Sequence, residues 1–308
     1  MDNTTTAPQL PDLFSSCTPD QAWNTATEII QRISPSYDFS SVRRVFDDTV
    51  RLFEGTYPGY CTILTPYHDL QHTLDVFLCA VRLMHGVHLA GERIDDTSIT
   101  LLCIGALLHD IGYAQREGEA SGTGAQYTRS HIERGIEFIR HYLTENGFPA
   151  AWPEQLAGIV RSTSFERLFP MIDFPDQRTR LIGQILGSAD LVGQMADRTY
   201  LEKLLLLYLE FQEAQFGNYQ SMYDLLARTR EFHEYTMVKL NEDFGGLYTR
   251  LTNHFMDYMG IEKNFYLESI DKNLAYLSQV VALDEENYLS MLKRDSVLQK
   301  VRNLAGQQ

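Results

Sequence analysis

Apolar residues recur at intervals of three and four along nearly the whole chain, the spacing that turns one face of an α-helix toward a core. The pattern begins at TPDQAWNTATEIIQRI, where Thr18 is a candidate N-cap and Pro19 takes the first helical position. Further helices are expected over residues 39–53, 67–84, 97–108, 127–146, 154–162, 176–190, 200–215, 221–241 and 247–259, separated by glycine, proline or polar breaks. Beyond Gly260 the pattern continues as amphipathic helix. Strand-like alternation is hard to find, so the expected fold is an all-α helical bundle. The expected divisions are a flexible tail at 1–17, a bundle at 18–235 and a helical extension at 236–308 packed on it.

Two connections stand apart from the ordinary breaks. REGEASGTGAQ, residues 116–126, is rich in glycine and serine and follows His109 and Asp110, so it suits either a mobile cover or a plain connector. FERLFPMIDFPDQ, residues 165–177, is aromatic and carries prolines, and it suits either a pocket wall or a segment packed over the core.

Composition narrows the partners. The chain has 308 residues, 44% of them hydrophobic, enough to bury one large core. Its 26 basic and 41 acidic side chains leave a net charge of −15, with no basic cluster of the kind that neutralises a phosphate backbone, so no nucleic-acid polymer is expected as partner. An acidic protein can still act on small phosphate esters if bound divalent cations reverse the local field. Cys17, Cys61, Cys79 and Cys103 form no CxxC pair and read as reduced core residues. The first residues lack a basic and apolar leader pattern, and the most apolar runs are too short to span a bilayer, so a cytoplasmic protein without membrane contact is expected. Oligomeric state is left open.

Several polar residues fall in places that burial makes costly. In YHDLQH, His68 and His72 are spaced i, i+4, which would put both on one helical face if the helix runs through them. In LLHDIG, His109 and Asp110 close an apolar helix, and in LIGQILGSAD an apolar run ends on Asp190. Such groups need a partner or a metal ion. Taken singly, each also suits a hydrogen-bonded core group, a helix cap or a surface residue. His85 and His88 are placed near a helix end, where a cation complements the dipole, and His141, His233 and His254 read as packing or surface residues. Tyr200 reads as core, while Phe165, Phe169 and Phe211 are the candidates for stacking on a base.

The ordered set YHDLQH, LLHDIG and SADL resembles the HD-domain metal-dependent phosphohydrolases, and within them the class I cyclic nucleotide phosphodiesterase catalytic domain, over about residues 60–216. The resemblance implies an HD-type bundle in which His72, His109, Asp110 and Asp190 hold a tight metal ion and Asp110 bridges to a second. It implies His68 as the general acid and His131, in YTRSHIERGIEF, as a group near the second ion. Imidazole and carboxylate donors suit Fe, Mn, Zn or Co at the tight position and Mg or Mn at the second.

What the resemblance implies chemically is phosphodiester hydrolysis of a cyclic or other small nucleotide. A hydroxide bridging the two ions would attack phosphorus and His68 would protonate the leaving oxygen. Tyr67, Asp69 and Phe211 are the candidates to touch substrate. A nucleotide monophosphatase or triphosphohydrolase on the same centre, and a non-catalytic HD module that binds nucleotide, remain the alternatives. Three departures from the family pattern are visible. Asp69 stands where the family has Asn, beside the proposed acid; IGYAQREGE follows the His-Asp doublet in place of a DHPG run; and the family's Gln-Phe base clamp has no clear counterpart, Gln279 lying too far along.

Overall fold

Thr18 accepts a hydrogen bond from the Gln21 backbone while the Gln21 side chain answers the Thr18 N–H, and with Pro19 at the first position this capping box starts helix α1, Pro19–Ile33. In this computed structural model, Leu13 and residues 17–305 are described, other than Ala120, Ser121, Glu166 and Asp295. Except for Leu13 and Cys17, the expected tail at 1–17 lies outside the described residues.

The remaining helices are α2 Ser40–Glu54, α3 Leu70–Leu89, α4 Asp96–Leu108, α5 His131–Glu145, α6 Trp152–Arg161, α7 Gln177–Ala196, α8 Tyr200–Glu213, α9 Met222–Glu242, α10 Leu251–Met259, α11 Phe265–Val280 and α12 Val297–Ala305. No strand occurs among the described residues, and the one extended pairing is an isolated bridge between Tyr60 and Arg116. The fold is all-α. No helix among them is long and apolar enough to cross a membrane.

Helices α3, α4 and α7 form the centre, which explains why their sequences are apolar nearly all round rather than striped. The α3 helix packs against α1, α4, α7 and α10, and α7 in turn packs against α6 and α11. Close approach is bought by small residues: a Cβ on Gly86 of α3 would lie 2.0 Å from the Arg250 carbonyl oxygen before α10. At the far end of α7, Ser269 donates to the Ala196 carbonyl and Asn273 donates to those of Met195 and Asp197. The α11 helix thereby satisfies the acceptors that α7 leaves open.

Several expected boundaries shift: the helix expected over 67–84 runs on to Leu89, and the one expected over 127–146 begins at His131. The helix expected from Tyr67 begins only at Leu70, because Asp69 takes an extended backbone and its carboxylate accepts the His72 N–H at 3.0 Å. His68 therefore precedes the cap and does not share a helical face with His72. The helix expected to end at Asp190 continues to Ala196, so Asp190 sits within α7 rather than at its end. The expected 247–259 helix opens with a 3-10 turn, Leu247–Arg250. Cys79 and Cys103 are core residues, whereas Cys61 is exposed.

His85 lies near the end of α3 and His254 is a packing residue, both within what was expected, but their contact with each other has no sign in the sequence. Both rings are buried where α3 meets α10, with their Nδ1 atoms 3.0 Å apart, and the Nε2 of His254 has no hydrogen-bond partner. One shared proton suits that contact. Burial lowers His85 to about 4 from 6.5, against the pull of Asp257, and lowers His254 to about 2, reinforced by Arg82. Depressed imidazole values mean that the unfolded chain binds protons the folded one refuses. Stability from this pair is complete above pH 6.5 and drains as pH falls toward about 4. Urea unfolding should lose roughly 1–2 kcal/mol per pH unit over that range, and His254→Leu should flatten the decline; an equal slope in that variant would refute the assignment.

Candidate metal centre

The first metal-type donor, His72, is the third residue of α3, held in place because Asp69 caps its own N–H. The second, His109, is the C-cap of α4, and Asp110 follows it into a short turn, Ile111–Tyr113. Gly112 lets that turn press onto the start of α5: a Cβ there would lie 1.7 Å from the His131 carbonyl oxygen. The fourth donor, Asp190, projects from the middle of α7. Four separate elements thus deliver these side chains to one place.

Their geometry is that of donors arranged around a common point. The Oδ2 of Asp110 is 3.4 Å from the Nε2 of His72 and 3.2 Å from the Nε2 of His109. The Oδ1 of Asp190 is 3.6 and 3.9 Å from the same two nitrogens. Donors each about 2.1 Å from one ion stand about 3.0–3.4 Å apart, so the cluster needs only a small contraction. Both His109 Nε2 and Asp110 Oδ2 are buried without a hydrogen-bond partner, a costly state that a cation would relieve. His72, His109 and Asp110 form a buried group able to hold a metal ion.

Hydrogen bonds behind the rings select the nitrogen that faces inward. His109 donates from Nδ1 to the Ala106 carbonyl at 2.8 Å, and His131 donates from Nδ1 to that of Thr128 at 2.7 Å. Each bond leaves Nε2 bare. The Nε2 of His131 then lies 3.5 Å from Asp110 Oδ1, so the two oxygens of Asp110 face opposite sides. Burial opposes the charge on Asp110, but His109 and His68 outweigh it and hold the carboxyl well below its usual range. Burial raises Asp190 despite His109 and His72. For His109, burial pulls down while Asp110 and Asp190 pull up harder, to about 9. For His131 burial prevails over Asp110 and the value falls. The centre attracts positive charge.

His68 belongs to a different brace. Glu210 of α8 accepts the Tyr67 and His68 backbone N–H groups at 2.7 and 3.1 Å through one oxygen, and the His68 Nδ1 at 2.5 Å through the other. Burial lowers the imidazole's affinity for a proton, but Glu210 and Asp110 raise it further, to about 9. The partner of His68 is Glu210, not the neighbouring Asp69, which instead lies 3.5 Å from Lys300 and does not line the cavity. The rings of Tyr113, His68 and His131 form a triangular cluster, with Tyr113 centroids 4.7 Å from His68 and 4.6 Å from His131 and the two imidazoles 6.3 Å apart.

His68, His72, Asp110, Tyr113, His131 and Asp190 line a cavity of about 500 Å³. Tyr67 lines it and donates its hydroxyl to Gln194 at 2.9 Å. Phe211 and Phe165 line it too, whereas Phe169 is buried in the core against Phe174 and Phe244. The glycine-rich loop at 116–126 contributes no described residue to the wall; Thr123 is tied to Glu213 and Glu119 to Arg134, so those residues act as a buttress rather than a cover. Glu210, Tyr113 and Gln194 are the site residues that sequence reasoning missed. Only Glu210 had a signal, as the lone acid in LLLLYLEF.

The profile of the Npun_R2479-like family matches residues 61–252, more than half of the chain and every residue of the cluster. This chain belongs to the Npun_R2479-like family. No curated protein and no solved structure matches it. In this Npun_R2479-like chain the matched segment opens before the Asp69 cap and closes at the start of α10.

Titration with Mn²⁺ or Zn²⁺ should raise the melting temperature of the wild-type chain, and Asp110→Asn should weaken binding about a hundredfold or more. Unchanged affinity in Asp110→Asn would remove this residue from the centre. Glu210→Ala should cost roughly 3 kcal/mol in urea unfolding, since two backbone donors and an imidazole lose their acceptor in a buried place.

Proposed function

We propose that this chain is a metal-dependent phosphohydrolase with an HD-type bundle, and that it hydrolyses a phosphodiester of a cyclic or other small nucleotide. The observation that carries this reading is a convergent four-donor cluster with orphaned buried atoms, set in the same cavity as a separately braced imidazole. The order of the motifs in the sequence supports the same reading.

His72, His109, Asp110 and Asp190 would hold the tighter ion, Fe, Mn, Zn or Co. The other Asp110 oxygen and His131 face the position for a second, Mg or Mn. Bound divalent cations supply charge neutralisation at the phosphoryl oxygens and make water more acidic. The chain's own groups do the rest. The two rear hydrogen bonds fix the inward nitrogens of His109 and His131, so no reorientation is needed when ligand arrives. Glu210 occupies Nδ1 of His68, which leaves Nε2 as the nitrogen that passes a proton to the leaving oxygen. Tyr113 stacks on that ring, and both line the cavity.

His68→Ala should retain its metal by elemental analysis and lose about a hundredfold or more in rate. His72→Ala and Asp190→Ala should lose metal and turnover together. A panel of cyclic nucleotides, nucleoside monophosphates and triphosphates identifies the reaction from its product; full metal-dependent turnover by Asp190→Ala would sink the scheme.

A further inference from the structure

The cavity carries opposite charge in two zones. Asp110 and Asp190 line it at the cluster, where a cation would balance them. Elsewhere its wall includes Arg129, Arg167 and the single acid Glu133. That acid is already engaged: Arg161 donates to both of its oxygens at 2.9 and 2.8 Å, and Arg167 reaches it at 3.3 Å. On this part of the wall Arg129 and Arg167 face the single carboxylate of Glu133, which Arg161 already engages from outside the cavity lining. In a chain of net charge −15, this local excess is unlike the rest of the protein.

Arg129 is held without being neutralised. Its guanidinium lies over the Phe216 ring at 5.2 Å and donates to the Gln215 carbonyl at 3.5 Å, and no ion pair is found for it among the described residues. Gln215 has φ of 49°, the only described non-glycine residue in the left-handed region, a conformation that persists where the surroundings impose it. The turn it makes after α8 folds Phe216 back onto Phe211, with ring centroids 5.1 Å apart, and both rings line the cavity. Tyr219 stacks on Phe211 at 5.8 Å, and Phe165 stacks on Phe232 at 5.1 Å. Phe165, Phe211, Phe216, Tyr219 and Phe232 line the same cavity as the metal-type donors and Arg129, so much of its wall is aromatic. A volume of about 500 Å³ is far more than one phosphate group fills.

We infer that Arg129, together with Arg167, binds a second anionic group of the ligand, so that the substrate is a phosphate compound with two separated negative groups joined by a ring-bearing body. A linear dinucleotide that carries a terminal phosphate beside its phosphodiester has this chemistry, and a nucleoside bisphosphate mimics its two anionic groups; a cyclic mononucleotide, with one phosphate, does not. The inference rests on the phosphohydrolase reading, and it names the substrate class of the same site.

The probes are adenosine 5′-monophosphate and adenosine 3′,5′-bisphosphate, titrated calorimetrically into the Mn²⁺-loaded full chain at low salt. The bisphosphate should bind about tenfold more tightly or better, and Arg129→Ala should close that gap. Equal affinities in the wild-type chain, with binding still dependent on Mn²⁺, would overturn the second-anion site and leave the phosphohydrolase reading standing. A gap that survives Arg129→Ala would also overturn it. Failure of both nucleotides to bind in a metal-dependent way would overturn the two readings together.

Discussion

The carboxylate of Asp110 is buried with one oxygen toward His72 and His109 and the other toward His131, and His109 and His68 hold it ionised against that burial. An ionised carboxylate in a helical core is costly unless positive charge meets it from each side. This requirement constrains the elements around it. The α4 helix must end one residue before it, α3 must begin where His72 can reach it, and α5 must start against the turn that carries it. Gly112 makes the last of these sterically feasible, since any side chain there would meet the α5 backbone.

A second carboxylate, Glu210, performs the analogous task for the segment ahead of α3. Two backbone donors and one ring nitrogen converge on it from residues 67 and 68, more than 140 positions away in sequence. Without that anchor the approach to α3 would lack its main polar tie to α8. The fold thus uses one buried acid to gather the donors and another to hold the separate imidazole. Tyr113 links the two arrangements, since its ring touches both His68 and His131.

Around these acids the charge is sorted by position. Carboxylates collect where a cation would sit, and the guanidiniums of Arg129 and Arg167 and several aromatic rings line the same cavity. Ring surfaces add no charge of their own and leave both zones electrostatically distinct. An anionic ligand with an aromatic body matches that arrangement better than a neutral one, and this is the physical content shared by the proposed reaction and the proposed second-anion site.

Helix content was legible in the sequence because burial of one face imposes a local, short-period pattern, and the capping box at Thr18 and Gln21 is itself a local signal. His72, His109, Asp110 and Asp190 were legible for a related reason: polar groups interrupting apolar runs stand out whatever they bind. The start of α3 was not, because alternating polar and apolar residues around Asp69 suit both a helix interior and a cap, and the choice depends on Glu210 and Thr65 holding residues 67 and 68 out of the helix. The contact between His85 and His254 was not legible either, because it joins residues 169 positions apart. The sequence by itself determined the secondary structure class and the residues that burial makes expensive. Which of those residues meet, which nitrogen faces inward, and which carboxylate steadies His68 were decided only by the tertiary structure, since each depends on contacts between segments that no local pattern records.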